Sequence, residues 1–242
     1  MKITFLGTSH GYVEVGRHCT STLIEAGEKC YLIDAGAPVE SLMLDRGRNA
    51  IEIDTVFITH MHGDHINYLG SIIRPAVLRR NHLNVYFPST ELMEGYKAWA
   101  KVGQTILPNP SVDIYAIDNK SLIFDDGILK VTAIPNKHMP EENGSHSFIL
   151  EASGKKVLFT GDLKCPGIPD YPEIAYTEDF DLIICEMAHY DMSEAFPRLS
   201  KSKTKKMIFH HIYPPKLEGA KEYFSRFPFD VYAAKDNDEV VL

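Results

Sequence analysis

No apolar run in this chain reaches the roughly 18 residues that would cross a bilayer, and the opening "MKITFLGTSHG" breaks off too early for a secretory signal. Cysteine is scarce. The four, Cys19, Cys30, Cys165 and Cys185, have no C-x-x-C spacing, which argues against a zinc ribbon or a disulfide framework and fits a reducing compartment. Positive charge is also short: 25 basic residues against 33 acidic ones leave a net charge of -8. That balance disfavours any binding mode that must neutralise a long phosphate backbone. Internal repeats, low-complexity tracts and long Pro/Gly/Ser linkers are missing too, so one domain over residues 1–242 is the expectation. Together these absences describe a cytoplasmic protein without a membrane or long nucleic-acid partner. They leave small-molecule or short nucleotide substrates, and they leave self-association open.

What the chain does have is short apolar runs rich in β-branched residues: "KITFL", "TSTLIEA", "KCYLIDA", "DTVFIT", "LNVYF", "SLIF", "ILKVTAI", "HSFILEA", "KKVLFT", "DLIIC" and "KKMIF". Each is bounded by turn or polar residues, as strands are. Helical spacing is found at 38–49, after Gly63, and at 89–102, 172–178 and 215–226, the last opened by a Pro-Pro pair. Both halves run through several close strands and then alternate strand with helix. Such an α/β chain favours two sheets packed face to face with helices outside, and an open α/β sheet is the alternative.

The chemistry concentrates in "FITHMHGDHINYLG", where His60, His62, Asp64 and His65 follow an apolar strand. Alternation puts His60 and His62 on one side of an extended segment, and Gly63 permits a turn that brings Asp64 and His65 back toward them. Imidazoles converging with a carboxylate suit zinc or a similar divalent metal better than calcium or magnesium. Capping by Asp64 would leave three histidines unexplained. Other strands also run straight into potential ligands: "KVTAIPNKH" into His138, "KKVLFTGD" into Asp162, and "KKMIFHH" into His210 and His211. Strand ends at one sheet edge make a common floor for a site. Of the two adjacent histidines, alternation lets only one face that floor directly.

These residues resemble the metallo-β-lactamase fold superfamily of metal-dependent hydrolases. The resemblance runs the length of the chain, from "FLGTSHG" and "YLIDAG" through the five metal motifs to "DEVVL". It implies an αβ/βα four-layer sandwich of two mixed β-sheets flanked by outer helices. It also implies that His60, His62 and His138 hold one metal, that Asp64, His65 and His211 hold a second, and that Asp162 bridges them, with His210 turned aside. Two divalent ions, zinc by default and manganese, iron or nickel as alternatives, would acidify a shared water and make hydrolysis the natural reaction, with Asp64 orienting that water or taking its proton.

Within the superfamily the chain is similar to the branch containing ribonuclease Z and small phosphodiesterases, through its opening segment and through "DFDLIICEMAHYD". It departs from ribonuclease Z in carrying Cys185, where that enzyme has a histidine, before Glu186. His189 is then the candidate general acid for the leaving oxygen. His146 either faces the site or is a surface or packing residue, and Ser9, His10 and Arg17 lie on a loop where family members contact substrate. The basic run Arg198, Lys201, Lys203, Lys205 and Lys206 reads as a solvated helix end. The expected substrate is a phosphodiester, a small or cyclic nucleotide ester. A lactone, thioester or other carbonyl ester is the rival, and a non-catalytic metal-braced scaffold the third reading.

Overall fold

The structure, a computed structural model, describes residues 1–119, 121–140 and 144–242. The first half of the chain lays down β1 (Lys2–Gly7), β2 (Ser21–Ala26) and β3 (Lys29–Ile33). It then alternates: α1 (Val39–Asp45), β4 (Ile53–Phe57), α2 (Gly63–Ile66), α3 (Leu69–Arg79), β5 (Leu83–Phe87), α4 (Thr90–Val102) and β6 (Val112–Ala116). The second half repeats the plan with β7 (Leu122–Asp125), β8 (Lys130–Pro135), β9 (His146–Ala152) and β10 (Lys155–Phe159). Alternation follows again: α5 (Ile174–Thr177), β11 (Leu182–Met187), α6 (Met192–Leu199), β12 (Lys206–Ile212), α7 (Pro214–Phe224) and β13 (Asp230–Ala233). Strand β14 (Glu239–Val241) returns to pair with β1.

The two sheets have seven strands each, in the orders β14-β1-β2-β3-β4-β5-β6 and β13-β12-β11-β10-β9-β8-β7. Both are mixed for the same reason. Turns or helix-free loops join the early strands as antiparallel neighbours, and helical crossovers make the later ones parallel. The β9–β10 turn shows how: Ser153 and Gly154 have φ of 53° and 71°, and such a two-residue left-handed turn matches the twist of a tight hairpin.

Alternation along the strands builds three apolar layers. Phe5, Tyr31, Ile33 and Phe57 from the first sheet meet Phe148, Val157, Phe159, Ile184 and Ile208 from the second in the central core. Their neighbours Leu6, Leu32 and Val56 face outward under α1, α3 and α4. Ile183, Cys185, Met207 and Phe209 face outward under α5, α6 and α7. This is the αβ/βα sandwich expected, and the open-sheet alternative does not form.

Sequence pattern missed three elements for identifiable reasons. Helix α6 carries Pro197, a residue that normally interrupts a helix. Strands β6 and β13 lie at sheet edges and are largely half-buried, so neither shows the continuous apolar run of an interior strand. No helix among the described residues is long and apolar enough to cross a membrane.

Candidate metal centre

The C-terminal ends of β3, β4, β8, β10, β11 and β12 open onto one edge of the sandwich. After β4 the chain passes His60 and His62 and enters α2, whose first turn carries Asp64 and His65. That turn is pressed against the loop after β3. A Cβ on Gly36 would fall 1.6 Å from the Asp64 carbonyl oxygen, so only glycine lets the two backbones approach this closely. The Ala35 amide donates to the His65 carbonyl at 2.6 Å, and the Tyr68 amide donates to the Ala35 carbonyl at 2.8 Å.

His60, His62, His138 and Asp162 form one group whose ligand atoms all lie within 4.8 Å of one another, and Asp64, His65 and His211 form a second. Within the first, His62 Nδ1 is 2.9 Å from His60 Nε2 and 3.2 Å from His138 Nε2. Asp162 Oδ2 stands between the groups: 3.7 Å from His60 Nε2 and from His138 Nε2, 3.3 Å from His65 Nε2 and 3.4 Å from His211 Nε2. His211 Nε2 is 3.0 Å from Asp64 Oδ2.

The donor set fits a divalent cation. His65 Nε2 and Asp162 Oδ1 are buried without a hydrogen-bond partner among the described residues, an uncommon state in a folded protein. Imidazole nitrogens with a carboxylate are the ligands zinc and its neighbours prefer. The charges already lean toward a cation as well. Burial opposes ionisation of Asp64, but the His211 hydrogen bond and the nearby His65 hold its carboxyl at about 2. Burial pushes His60 well below the usual imidazole range, with His65 adding to the effect, so it is neutral and free to coordinate.

The adjacent histidines part company. In β12, Ile208 faces the central core while Met207 and Phe209 face the helices, so His210 inherits the core side. It packs tilted against Phe159 and Phe5, with ring centroids 4.7 and 6.3 Å away, and burial lowers it to about 3. Continued alternation would turn His211 toward the helices. Instead the register with β11 slips between Glu186 and Met187, and His211 takes φ 49°. This local bulge swings its ring into the cluster.

Two carboxylates were not singled out from sequence as working residues. Asp34, at the end of β3 with φ 60°, is fully buried. Its Oδ1 accepts the Thr59 amide at 2.8 Å, and its Oδ2 accepts the Thr59 hydroxyl at 2.8 Å and faces His65 Nδ1 at 2.7 Å. It thereby fixes the His65 ring with Nε2 turned inward, the role that outer carboxylates play around metal-binding histidines. The only trace in sequence is an acidic residue ending an apolar strand in "YLIDAG". Replacing Asp34 with Ala is expected to weaken metal affinity about 10- to 100-fold, measured by competition with a chromophoric chelator; unchanged affinity would remove Asp34 from the centre. Glu186 is the second. Its Oε1 accepts the Leu163 amide at 3.1 Å, its Oε2 accepts the Ala188 and His189 amides at 2.7 and 3.1 Å, and Oε1 meets His189 Nδ1 at 3.1 Å.

His189 stands beside the cluster, with Nδ1 3.9 Å from Asp162 Oδ2. Burial works against its charged form, but the Glu186 hydrogen bond and charge raise it to about 9. A cavity of about 280 Å³ opens over Asp64, Asp162, His189 and His211, walled by His10, Tyr12 and Tyr213. His10 thus reaches the cavity. Ser9 and Arg17 do not line it: the Ser9 hydroxyl donates to the Tyr12 carbonyl at 2.8 Å, and Arg17 donates to the Ala234 carbonyl at 3.0 Å, shaping the loop. Cys185 points to the outer layer, its Sγ 3.5 Å from the Tyr190 hydroxyl. Lys205 of the basic run pairs with Asp181 at 2.6 Å, and none of that run lines the cavity. His146 lies at the start of β9, buried beside a separate depression.

Residues 15–183 match the description of the metallo-beta-lactamase superfamily. Ribonuclease BN of Escherichia coli is 31% identical over 186 residues, covering 71% of this chain and 57% of that protein. The chain therefore spans little more than half the length of this relative. Among solved structures, the metallo-beta-lactamase fold protein YhfI from Bacillus subtilis superposes with a TM-score of 0.78 at 19% identity, covering 99% of both chains. A diphosphatase from the PhnP family superposes with a TM-score of 0.75 at 16% identity, covering 100% of this chain and 97% of the other.

Proposed function

Since this chain belongs to the metallo-beta-lactamase superfamily, we propose that its residues 1–242 form one metal-dependent hydrolase domain that cleaves a phosphodiester in a small or cyclic nucleotide ester. The observation that carries the reading is the pair of ligand groups on either side of Asp162, beneath a cavity lined by His189. His60, His62 and His138 would hold one divalent ion, and Asp64, His65 and His211 the other, with Asp162 shared. Zinc suits these donors best. Two such ions, when bound, polarise the phosphoryl oxygens and acidify a water.

The chain's own groups supply the rest. Asp64, an ionised acceptor beside the cavity, orients the attacking water or takes its proton. His189 carries the proton that the leaving oxygen needs, and Glu186 keeps that imidazole charged and aimed. Two features support a phosphodiester over a carbonyl ester. The relative named above is a ribonuclease, and the bond RNA cleavage breaks is a phosphodiester. The superposed PhnP-family protein is a diphosphatase, which also acts at phosphorus. The ribonuclease name alone would suggest RNA. The net charge of -8 and a basic run that lies away from the cavity favour a short substrate, because a polyanion needs a cationic track.

The test is a panel read with and without chelator: bis(p-nitrophenyl) phosphate, a homoserine lactone, a glutathione thioester and nitrocefin. Chelator-sensitive turnover of the diester is expected. Rapid turnover of the lactone or thioester with none of the diester would replace this reading by the carbonyl-ester one, and metal binding without turnover of any of them would favour a scaffold.

His189 gives a finer prediction. Loss of a general acid typically costs about 10²- to 10⁴-fold when the leaving group needs a proton, whereas p-nitrophenolate leaves without one. His189→Ala should therefore depress kcat for an alkyl phosphodiester far more than for the p-nitrophenyl ester. Equal losses on both would assign His189 to binding instead.

A further inference from the structure

A second depression, of about 900 Å³, has His138 in its lining. The same residue's Nε2 sits 3.7 Å from Asp162 Oδ2. A ligand there would be within one residue's width of the metal centre. Its walls include Pro88, Pro135 and Met139, which are apolar surfaces without hydrogen-bond donors in their side chains.

Two polar side chains of this depression are unusual. Ser145 and His146 are 3% and 2% exposed, and both line the depression. Among the described residues, neither Ser145 Oγ nor His146 Nδ1 has a hydrogen-bond partner. The tautomer of His146 follows from its other nitrogen. Nε2 lies 3.3 Å from the Asp118 carbonyl oxygen, which can only accept, so Nε2 carries the ring proton. Burial keeps the ring neutral by lowering it below the usual imidazole range. A neutral imidazole has one N–H, and Nδ1 is left as a bare acceptor. Buried acceptors without partners are few in folded proteins, and leaving one unmet costs roughly 1–3 kcal/mol.

We propose that this depression is a nucleobase subsite of the hydrolytic centre, in which His146 Nδ1 accepts a hydrogen bond from a ring N–H, with the Ser145 hydroxyl beside it and the flat apolar walls covering the base. A planar heterocycle with N–H and carbonyl groups on its edge matches the acceptor, the hydroxyl and the apolar walls, and Asn119, Asn136, Lys137 and Lys164 in the same lining leave polar room for the ribose and phosphate. The proposal rests on the phosphodiester reading and adds the part of the substrate that this chain recognises.

The experiment compares two esters with the same leaving group in the metal-loaded protein: the p-nitrophenyl ester of thymidine 5′-monophosphate, and bis(p-nitrophenyl) phosphate. Wild type should prefer the thymidine ester, whose base carries a ring N–H. His146→Ala should reduce that preference, as a ratio of kcat/KM values, about tenfold, in keeping with one lost buried hydrogen bond. His146→Asn, which returns an acceptor oxygen to the side chain, should recover part of it. A second readout needs no variant: the ¹⁵N resonance of His146 Nδ1 should move on titration with thymidine 5′-monophosphate as its lone pair becomes hydrogen-bonded. If neither ester is cleaved, the phosphodiester reading fails and the resonance still decides the subsite. An unchanged preference in His146→Ala, or an Nδ1 resonance unmoved at saturating nucleotide, overturns the subsite, the latter marking a position that ordered water fills.

Discussion

Asp64→Ala is expected to abolish hydrolysis, to about a thousandth of the wild-type rate or less, since losing a metal that supplies several kcal/mol of transition-state stabilisation costs a factor of ten for each 1.4 kcal/mol. The carboxylate is held in its charged form by His211 at 3.0 Å and by His65 at 3.5 Å, so its removal withdraws negative charge from the place where a cation would sit. The backbone should tolerate the change. Asp64 lies in the first turn of α2, where alanine is a good helix residue, and the Gly36 approach involves only its carbonyl oxygen. The measurements are turnover of the diester, metal content by mass spectrometry and a thermal melt. Full turnover with Ala at position 64 would mean that the chemistry happens elsewhere in the molecule.

The second large effect separates His210 from His211. His211→Ala should lose one ion relative to wild type, because its Nε2 closes the group formed with Asp64 and His65. His210→Ala should keep the same metal content and instead lose stability, about 2–4 kcal/mol for emptying a buried side-chain volume between Phe5 and Phe159. The pH dependence gives an independent check. His210 is lowered to about 3 by burial, with His211 adding to the effect, against an unfolded value near 6.5. Between these values the unfolded chain binds a proton that the folded one refuses, so stability falls as pH drops below about 6.5. His210→Phe should remove that component, on the order of 2 kcal/mol at pH 4.5. The readout is denaturant unfolding at pH 7 and 4.5, on metal-free protein of both kinds. If His210→Ala loses metal while His211→Ala retains it, the assignment of the two is reversed.

The fold and the convergence of the site were legible where apolar runs ended in chemistry. The H-x-H-x-D-H cluster, His138, Asp162 and His211 each follow the apolar run of an interior strand, and such runs announce themselves by hydrophobicity. Residues whose position depends on something other than periodicity were harder to see. His211 reaches the cluster through a bulge, whereas plain alternation would send it to the helices. Asp34 matters because Thr59 and His65, distant in sequence, close around it. The open partners of Ser145 and His146 become visible only when the surrounding atoms are counted. Cys185, which sequence set beside the site as a departure from ribonuclease Z, proves to face the opposite layer, since a one-residue step along β11 changes sides of the sheet.

The matching plan of the two halves has a mechanical consequence. The two groups described above each draw from both: His60 and His62 from the first half with His138 and Asp162 from the second, and Asp64 and His65 with His211. Any ion seated there is a rivet through the seam between the two sheets. Its binding energy is available only once both halves have docked, so holding metal and holding the sheets together become one cooperative event.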